Sequence, residues 1–160
     1  MNKLLAIILF VLFGTQVFAQ SWNKGLEAAK AGDFSTALKE WKPLAEQGNA
    51  YAQFGLGVMY WNGNGVLQDY AEALKWYRLS AEQGNDYAQS NLGAMYQFGS
   101  GVLQDNLAAH MWYNIASANG YKKAGEWREG LEESMTPGAI EKATAMAREC
   151  MASDYKKCGY

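Results

Sequence analysis

The chain repeats itself. Residues 51–86 and 87–122 align without a gap at an offset of 36, and 17 of those 36 positions are identical. Tyr51-Ala52-Gln53 recurs as Tyr87-Ala88-Gln89, and Leu56-Gly57 as Leu92-Gly93. Met59-Tyr60 recurs as Met95-Tyr96, and Val66-Leu67-Gln68-Asp69 returns unchanged as Val102-Leu103-Gln104-Asp105. A fixed period of this size marks a supersecondary unit that buries its apolar face only by stacking on copies of itself. Fainter echoes extend both ways. Glu46-Gln47-Gly48 precedes Glu82-Gln83-Gly84 by one period, Asp33-Phe34 precedes Asp69-Tyr70, and Ala124 follows Ala88. The flanking stretches, 20–50 and 123–160, therefore read as degenerate end units, because a terminal repeat turns one face to water.

Each unit reads as helix, loop, helix. From Tyr51 to about Trp61 the apolar residues Ala52, Leu56, Met59 and Tyr60 follow helical spacing. Gly63 and Gly65 end that helix, since glycine takes a left-handed backbone freely. Asp69 reads as the next N-cap, with Glu72 as its reciprocal partner. The second helix runs to about Gln83, and Gly84 follows as its C-cap. Ala52, Gly57 and Ala73 are small, so two helices can approach closely, and Tyr60, Trp76 and Tyr77 fill the space between pairs. Beyond the clear repeats, Lys122 to about Ser134 reads as a helix. Thr136-Pro137 then starts a last one, with Thr as N-cap and Pro in the first turn. The fold expected is an all-α solenoid, or superhelix, of about four stacked helix pairs forming one domain over residues 20–160.

The N-terminus reads as a leader over residues 1–19. Lys3 supplies a positive start, Leu4 to Phe13 is an apolar run, and Val17-Phe18-Ala19 suits a signal peptidase. Cleavage is expected after Ala19, placing the protein in the periplasm or outside the cell; an uncleaved anchor is the alternative. The run is short for a membrane span, which needs roughly 20 residues. The net charge of −2 offers no broad basic surface for nucleic acid or anionic lipid. The two cysteines, Cys150 and Cys158, meet an oxidising compartment if the chain is exported, and can pair there; otherwise they are two free thiols. A bridge between residues eight apart requires the last helix to end soon after Cys150, because a continuous helix would hold them about 12 Å apart.

The run Leu56-Gly57-x-Met59-Tyr60-x-x-Gly63-x-Gly65-Val66-x-x-Asp69-x-x-x-Ala73-x-x-Trp76-Tyr77, and its second copy from Leu92 to Tyr113, resemble the Sel1-like repeat, a relative of the tetratricopeptide repeat. The resemblance spans about Asp33 to Gly120. It implies a right-handed α/α superhelix with adaptor or scaffold roles, in envelope function, signalling or host interaction. A cysteine-rich branch of that family is linked to β-lactam binding and hydrolysis, which makes weak activity of that kind the alternative reading. Members of that branch carry a cysteine pair in each repeat, and neither clear repeat here has one.

Catalytic chemistry is sparse. The single histidine, His110, falls where the preceding unit has Leu74 and reads as a partly buried helix residue. No G-x-S-x-G, H-E-x-x-H or phosphate-loop pattern occurs. Glu126, Glu129, Glu132 and Glu133 read as a solvated helix face rather than as paired catalytic carboxylates. No metal or cofactor is expected. The partner expected is a protein or peptide. By resemblance, the first helix of each pair lines the concave side. Positions that differ between the two repeats are freer to serve a partner than positions that match. On that argument the binding residues expected are Gln53, Phe54, Trp61, Ser90, Asn91 and Gln97. Phe54 and Trp61 lie seven apart, hence on one helix face. They are either exposed anchors or packed against the N-terminal helix around Trp22 and Leu26.

Overall fold

The computed structural model describes residues 19–159, so the leader expected over 1–19 lies outside the described residues except for Ala19. Among the described residues there are helices and turns and no strand. A first helix, α1, covers residues 19–30. It is followed by α2 (Phe34–Glu46), α3 (Ala50–Asn62), α4 (Tyr70–Ala81), α5 (Asp86–Phe98), α6 (Asn106–Ala118), α7 (Lys122–Glu132) and α8 (Pro137–Ala152). These make four successive pairs, as the period requires.

The caps explain the boundaries. Asn49 and Asn85 accept from Ala52 and Ala88 N–H at the starts of α3 and α5, both at 2.9 Å. Asp69 and Asp105 each accept two N–H bonds at the starts of α4 and α6. An exposed N-cap of this kind stabilises by about 1 kcal/mol. The reciprocal arm expected from Glu72 is not made. The Asp69 N–H donates to Tyr60 O instead, as the Asp105 N–H does to Tyr96 O. Glu72 pairs with Lys75. The second repeat has Ala108 where Glu72 stands, so the loop-closing bond, not a side-chain box, is the device common to both units. Gly63 and Gly99 close α3 and α5 in the left-handed region, at φ of 71° and 66°. The helix before Gly84 ends at Ala81, two residues earlier than expected, and Gly84 supplies the positive φ in the turn that follows. Pro137 opens α8, whereas Pro43 lies inside α2.

Helices pack in chain order: α2 on α3, α3 on α4, α4 on α5, α5 on α6 and α6 on α7. The core has two parts, one around Trp41, Leu56 and Met59, the other around Tyr77, Leu92, Met95, Trp112, Tyr113 and Ile115. The small residues act as the repeat implies. A Cβ at Gly57 would lie 2.5 Å from the Tyr77 ring, and one at Gly93 would lie 2.5 Å from the Tyr113 ring. The last pair departs from the pattern, since α8 packs chiefly on α6. Its end is tied by the Cys150–Cys158 disulfide, with Cα atoms 4.5 Å apart. As that bridge demands, α8 stops at Ala152, and the chain turns back through Asp154 and Tyr155, both left-handed.

Candidate functional site

The first helices of the pairs, α1, α3, α5 and α7, carry a row of aromatic rings. Trp22 lies 5.9 Å from Tyr51, Phe54 is 5.8 Å from Tyr87, Tyr87 is 5.0 Å from Tyr121, and Tyr121 is 5.8 Å from Trp127. Tyr51 and Tyr87 are well exposed, at 62% and 50%. Beneath the N-terminal part of the row lies an open recess of about 290 Å³. Trp22, Leu26, Phe34, Trp41, Tyr51, Phe54 and Tyr87 line it with aliphatic neighbours, and Asn64 is the polar exception. Gly55 makes the floor possible, because a Cβ there would lie 2.7 Å from the Trp41 ring. A second recess of about 360 Å³ lies between α5 and α7, lined by Ala94, Gln97, Phe98, Tyr113, Glu126 and Trp127.

The six expected binding residues separate. Phe54 is half-buried in the first recess, and Gln97 lines the second. Trp61 packs at 4.8 Å on Tyr70, by the loop, so it stands on neither recess. Seven residues keep it on the Phe54 face but move it about 10 Å along the axis. Phe54 does meet the neighbourhood of Trp22 and Leu26, and Trp61 does not. Asn91 is half-buried on α5. Gln53 and Ser90 are buried, only 4% and 3% exposed. Gln53 Nε2 donates to Ala45 O at 3.1 Å, and its Oε1 accepts from Gln83 Nε2 at 2.7 Å. A buried amide satisfied on both sides joins the helices it bridges.

Tyr51 and Tyr87 fall outside the sequence argument, because identity between repeats points to packing. A signal was present. Ala52, Leu56 and Met59 face inward, and Tyr51 lies about 100° to one side of Ala52, opposite the side on which Gln53 is buried.

The polar cluster at His110 is buried more deeply than its sequence implies. His110 is 1% exposed, and its Nε2 lies 2.8 Å from Glu132 Oε1. Arg128 Nε lies 3.2 Å from the same oxygen, and Arg128 Nη1 donates to Asn114 at 3.3 Å. Glu132 therefore leaves the solvated acidic face and joins α6 to α7. The Tyr113 hydroxyl donates to Gln97 Oε1 at 2.7 Å. Burial pushes its pKa up to about 12, and burial raises that of Tyr77 further. Both phenols are neutral at any physiological pH. Among the described residues no group of three His, Cys, Asp or Glu side chains is placed to hold a metal ion, and no helix is long and apolar enough to cross a membrane.

The Sel1 repeat model matches residues 50–85 and 86–121, one residue ahead of the units read from the sequence. A Sel1 repeat protein from Oxalobacter formigenes is 31% identical, with a TM-score of 0.64, covering 71% of this chain and 88% of that one. A protective antigen of uropathogenic Escherichia coli strains, whose structure displays an SLR fold, is 28% identical with a TM-score of 0.81. That match covers 96% of this chain, which spans only 35% of the antigen's length. No curated protein matches the chain in sequence.

Proposed function

Because the chain belongs to the Sel1 repeat family, we propose that it is a non-catalytic adaptor holding a protein or peptide partner along its first-helix face. The observation that carries this is the unbroken aromatic row from Phe54 through Tyr87 and Tyr121 to Trp127. Exposed aromatic rings beside an apolar recess are the side chains that supply most interface energy. The partner lies in the bacterial envelope or outside the cell. The Cys150–Cys158 bridge and the leader-like residues 1–19 support that location, as does the likeness to a protective antigen. On this reading the leader is removed after Ala19, and the repeat domain begins at Gln20. β-Lactam hydrolysis gains no support from the site, because His110 is buried against Glu132 and both cysteines are joined.

The test is crosslinking in the intact envelope followed by mass spectrometry, comparing the native chain with Tyr51→Ala, Phe54→Ala and Tyr87→Ala. The variants should fold, and specific adducts should disappear. Folded variants that retain every adduct would show that this face is not the binding surface.

A further inference from the structure

Resting on that adaptor reading, we infer that the recess between α5 and α7 receives an arginine side chain of the partner. The recess is opened by coincident changes between units. One period earlier, the places of Ala94, Gln97 and Gly130 hold Val58, Trp61 and Ala94, so each side chain has become smaller. The Trp61–Tyr70 ring pair of the first unit has no counterpart here, since Gln97 and Asn106 stand in its place. A Cβ at Gly130 would meet nothing within 4 Å, so the space stays open on that side.

The walls suit a flat cation. Phe98 and Trp127 present rings that are 70% and 37% exposed. Phe98 gains little from the fold. Its counterpart Asn62 donates to Val58 O at 3.1 Å, and the ring that replaces it cannot make that bond and stays in water. Glu126 is the one charged side chain on the recess, and among the described residues it makes no hydrogen bond or ion pair. Gln97 Oε1 already accepts from the Tyr113 hydroxyl, which leaves the Glu126 carboxylate as the open side-chain acceptor. The nearby cations do not answer it. Arg128 is held by Glu132 and Asn114, and Lys123 Nζ stands 5.5 Å from the centre of the Trp127 ring.

A guanidinium meets all three walls at once. It stacks on aromatic faces, is more weakly hydrated than an ammonium, and offers a carboxylate two parallel N–H donors. Its methylene stem covers the apolar floor at Ala94 and Gly130. An acidic ligand would be repelled by Glu126. A sugar would stack on the same rings, but its hydroxyls would find only Glu126 and the Gln97 amide.

The experiment uses the full oxidised chain. The probes are short capped glycine peptides with one central arginine, lysine, citrulline or norleucine, and a neutral oligosaccharide. Citrulline keeps the shape of arginine without its charge. Binding is followed by the NMR shift of the Trp127 indole N–H, assigned with Trp127→Phe. The arginine peptide should shift it saturably and bind about fivefold tighter than any other probe. Glu126→Gln should weaken that binding about fivefold and erase the preference over citrulline, and Phe98→Ala should weaken it by a similar factor. Both side chains are exposed, so both variants should keep the native thermal midpoint. Equal binding of lysine or citrulline, tighter binding of the oligosaccharide, no saturation, or indifference to both variants overturns the inference. Should that happen while Tyr87→Ala still abolishes partner capture in the envelope, the adaptor reading stands and only the arginine anchor is wrong.

Discussion

Asn119 Nδ2 donates to the hydroxyl of Tyr155 at 2.8 Å, and the two residues stand one repeat period, 36 residues, apart. The same amide donates to Gln89 Oε1 at 2.8 Å, as Gln83 does to Gln53 Oε1 one unit earlier. Positions 83, 119 and 155 thus form one register series, and Tyr155 ends it. The chain reaches that position through two left-handed non-glycine residues, Asp154 and Tyr155, inside the loop closed by Cys150 and Cys158. Replacing both cysteines by serine should lower stability by roughly 2–3 kcal/mol, the value expected for so short a loop. Because a positive φ is strained for these residues, the turn at 153–157 should open before the rest. Hydrogen exchange checks this: protection should fall first there and at the α6 C-terminus. Uniform loss of protection would show that the bridge does not act through Tyr155.

Glycine-to-alanine substitutions should have opposite signs at two helical sites. Alanine is favoured over glycine in a helix interior by about 1 kcal/mol. At Gly130 in α7 a Cβ meets nothing within 4 Å, so Gly130→Ala should stabilise by about that amount. At Gly57 the Cβ would press on the Tyr77 ring at 2.5 Å, and that ring is walled in by the core. Overpacking of this kind costs about 1–3 kcal/mol, so Gly57→Ala should be net destabilising. Urea midpoints of the two variants decide it.

Alkaline pH should destabilise the fold through Tyr77 and Tyr113. Burial raises both phenol pKa values above the ordinary figure of about 10, that of Tyr113 to about 12. The folded state holds these protons more tightly than the unfolded state. Their contribution is therefore fully present below about pH 10 and is lost as pH rises through the folded values. Phenolate absorbance should show two late-titrating groups that ionise only as the helices unfold, and Tyr113→Phe should remove one of them.

The paired tryptophans should prove unequal. Trp112 is fully buried, whereas Trp76, one period earlier, is half-buried beside Lys75. Trp112→Ala should cost about 3–5 kcal/mol and Trp76→Ala roughly 1–2 kcal/mol. Thermal denaturation of both variants measures the difference.

The period made the helix pairs legible, and the glycine and aspartate positions placed their ends to within about two residues. What the period could not convey is which face a matched residue occupies. Gln53 and Gln89 match and are buried, and Tyr51 and Tyr87 match and are exposed. Identity between units says that two positions share an environment, not whether that environment is wet. Nor could it show that α8 leaves α7 for α6, because the closing unit has lost the repeat pattern that would report its packing.

The distinction yields the last prediction. Gln53 and Tyr51 lie two residues apart on α3, so they point to different sides of it. Gln53→Ala removes a buried amide that satisfies Ala45 O and accepts from Gln83. Ala45 O keeps the Gly48 N–H at 3.0 Å, so the loss is that of the two side-chain hydrogen bonds, about 1 kcal/mol each. The variant should lose stability of that order and, wherever it remains folded, hold partner as the native chain does. Tyr51→Ala removes an exposed ring that stacks only on Trp22 among the described residues, so its stability should change by about 0.5 kcal/mol or less. It should nevertheless weaken partner capture at least tenfold. Chemical denaturation and crosslinking yield, measured on both variants, separate the two effects. If Gln53→Ala loses partner at native stability, the amide faces the ligand after all, and the assignment of the groove must be reversed.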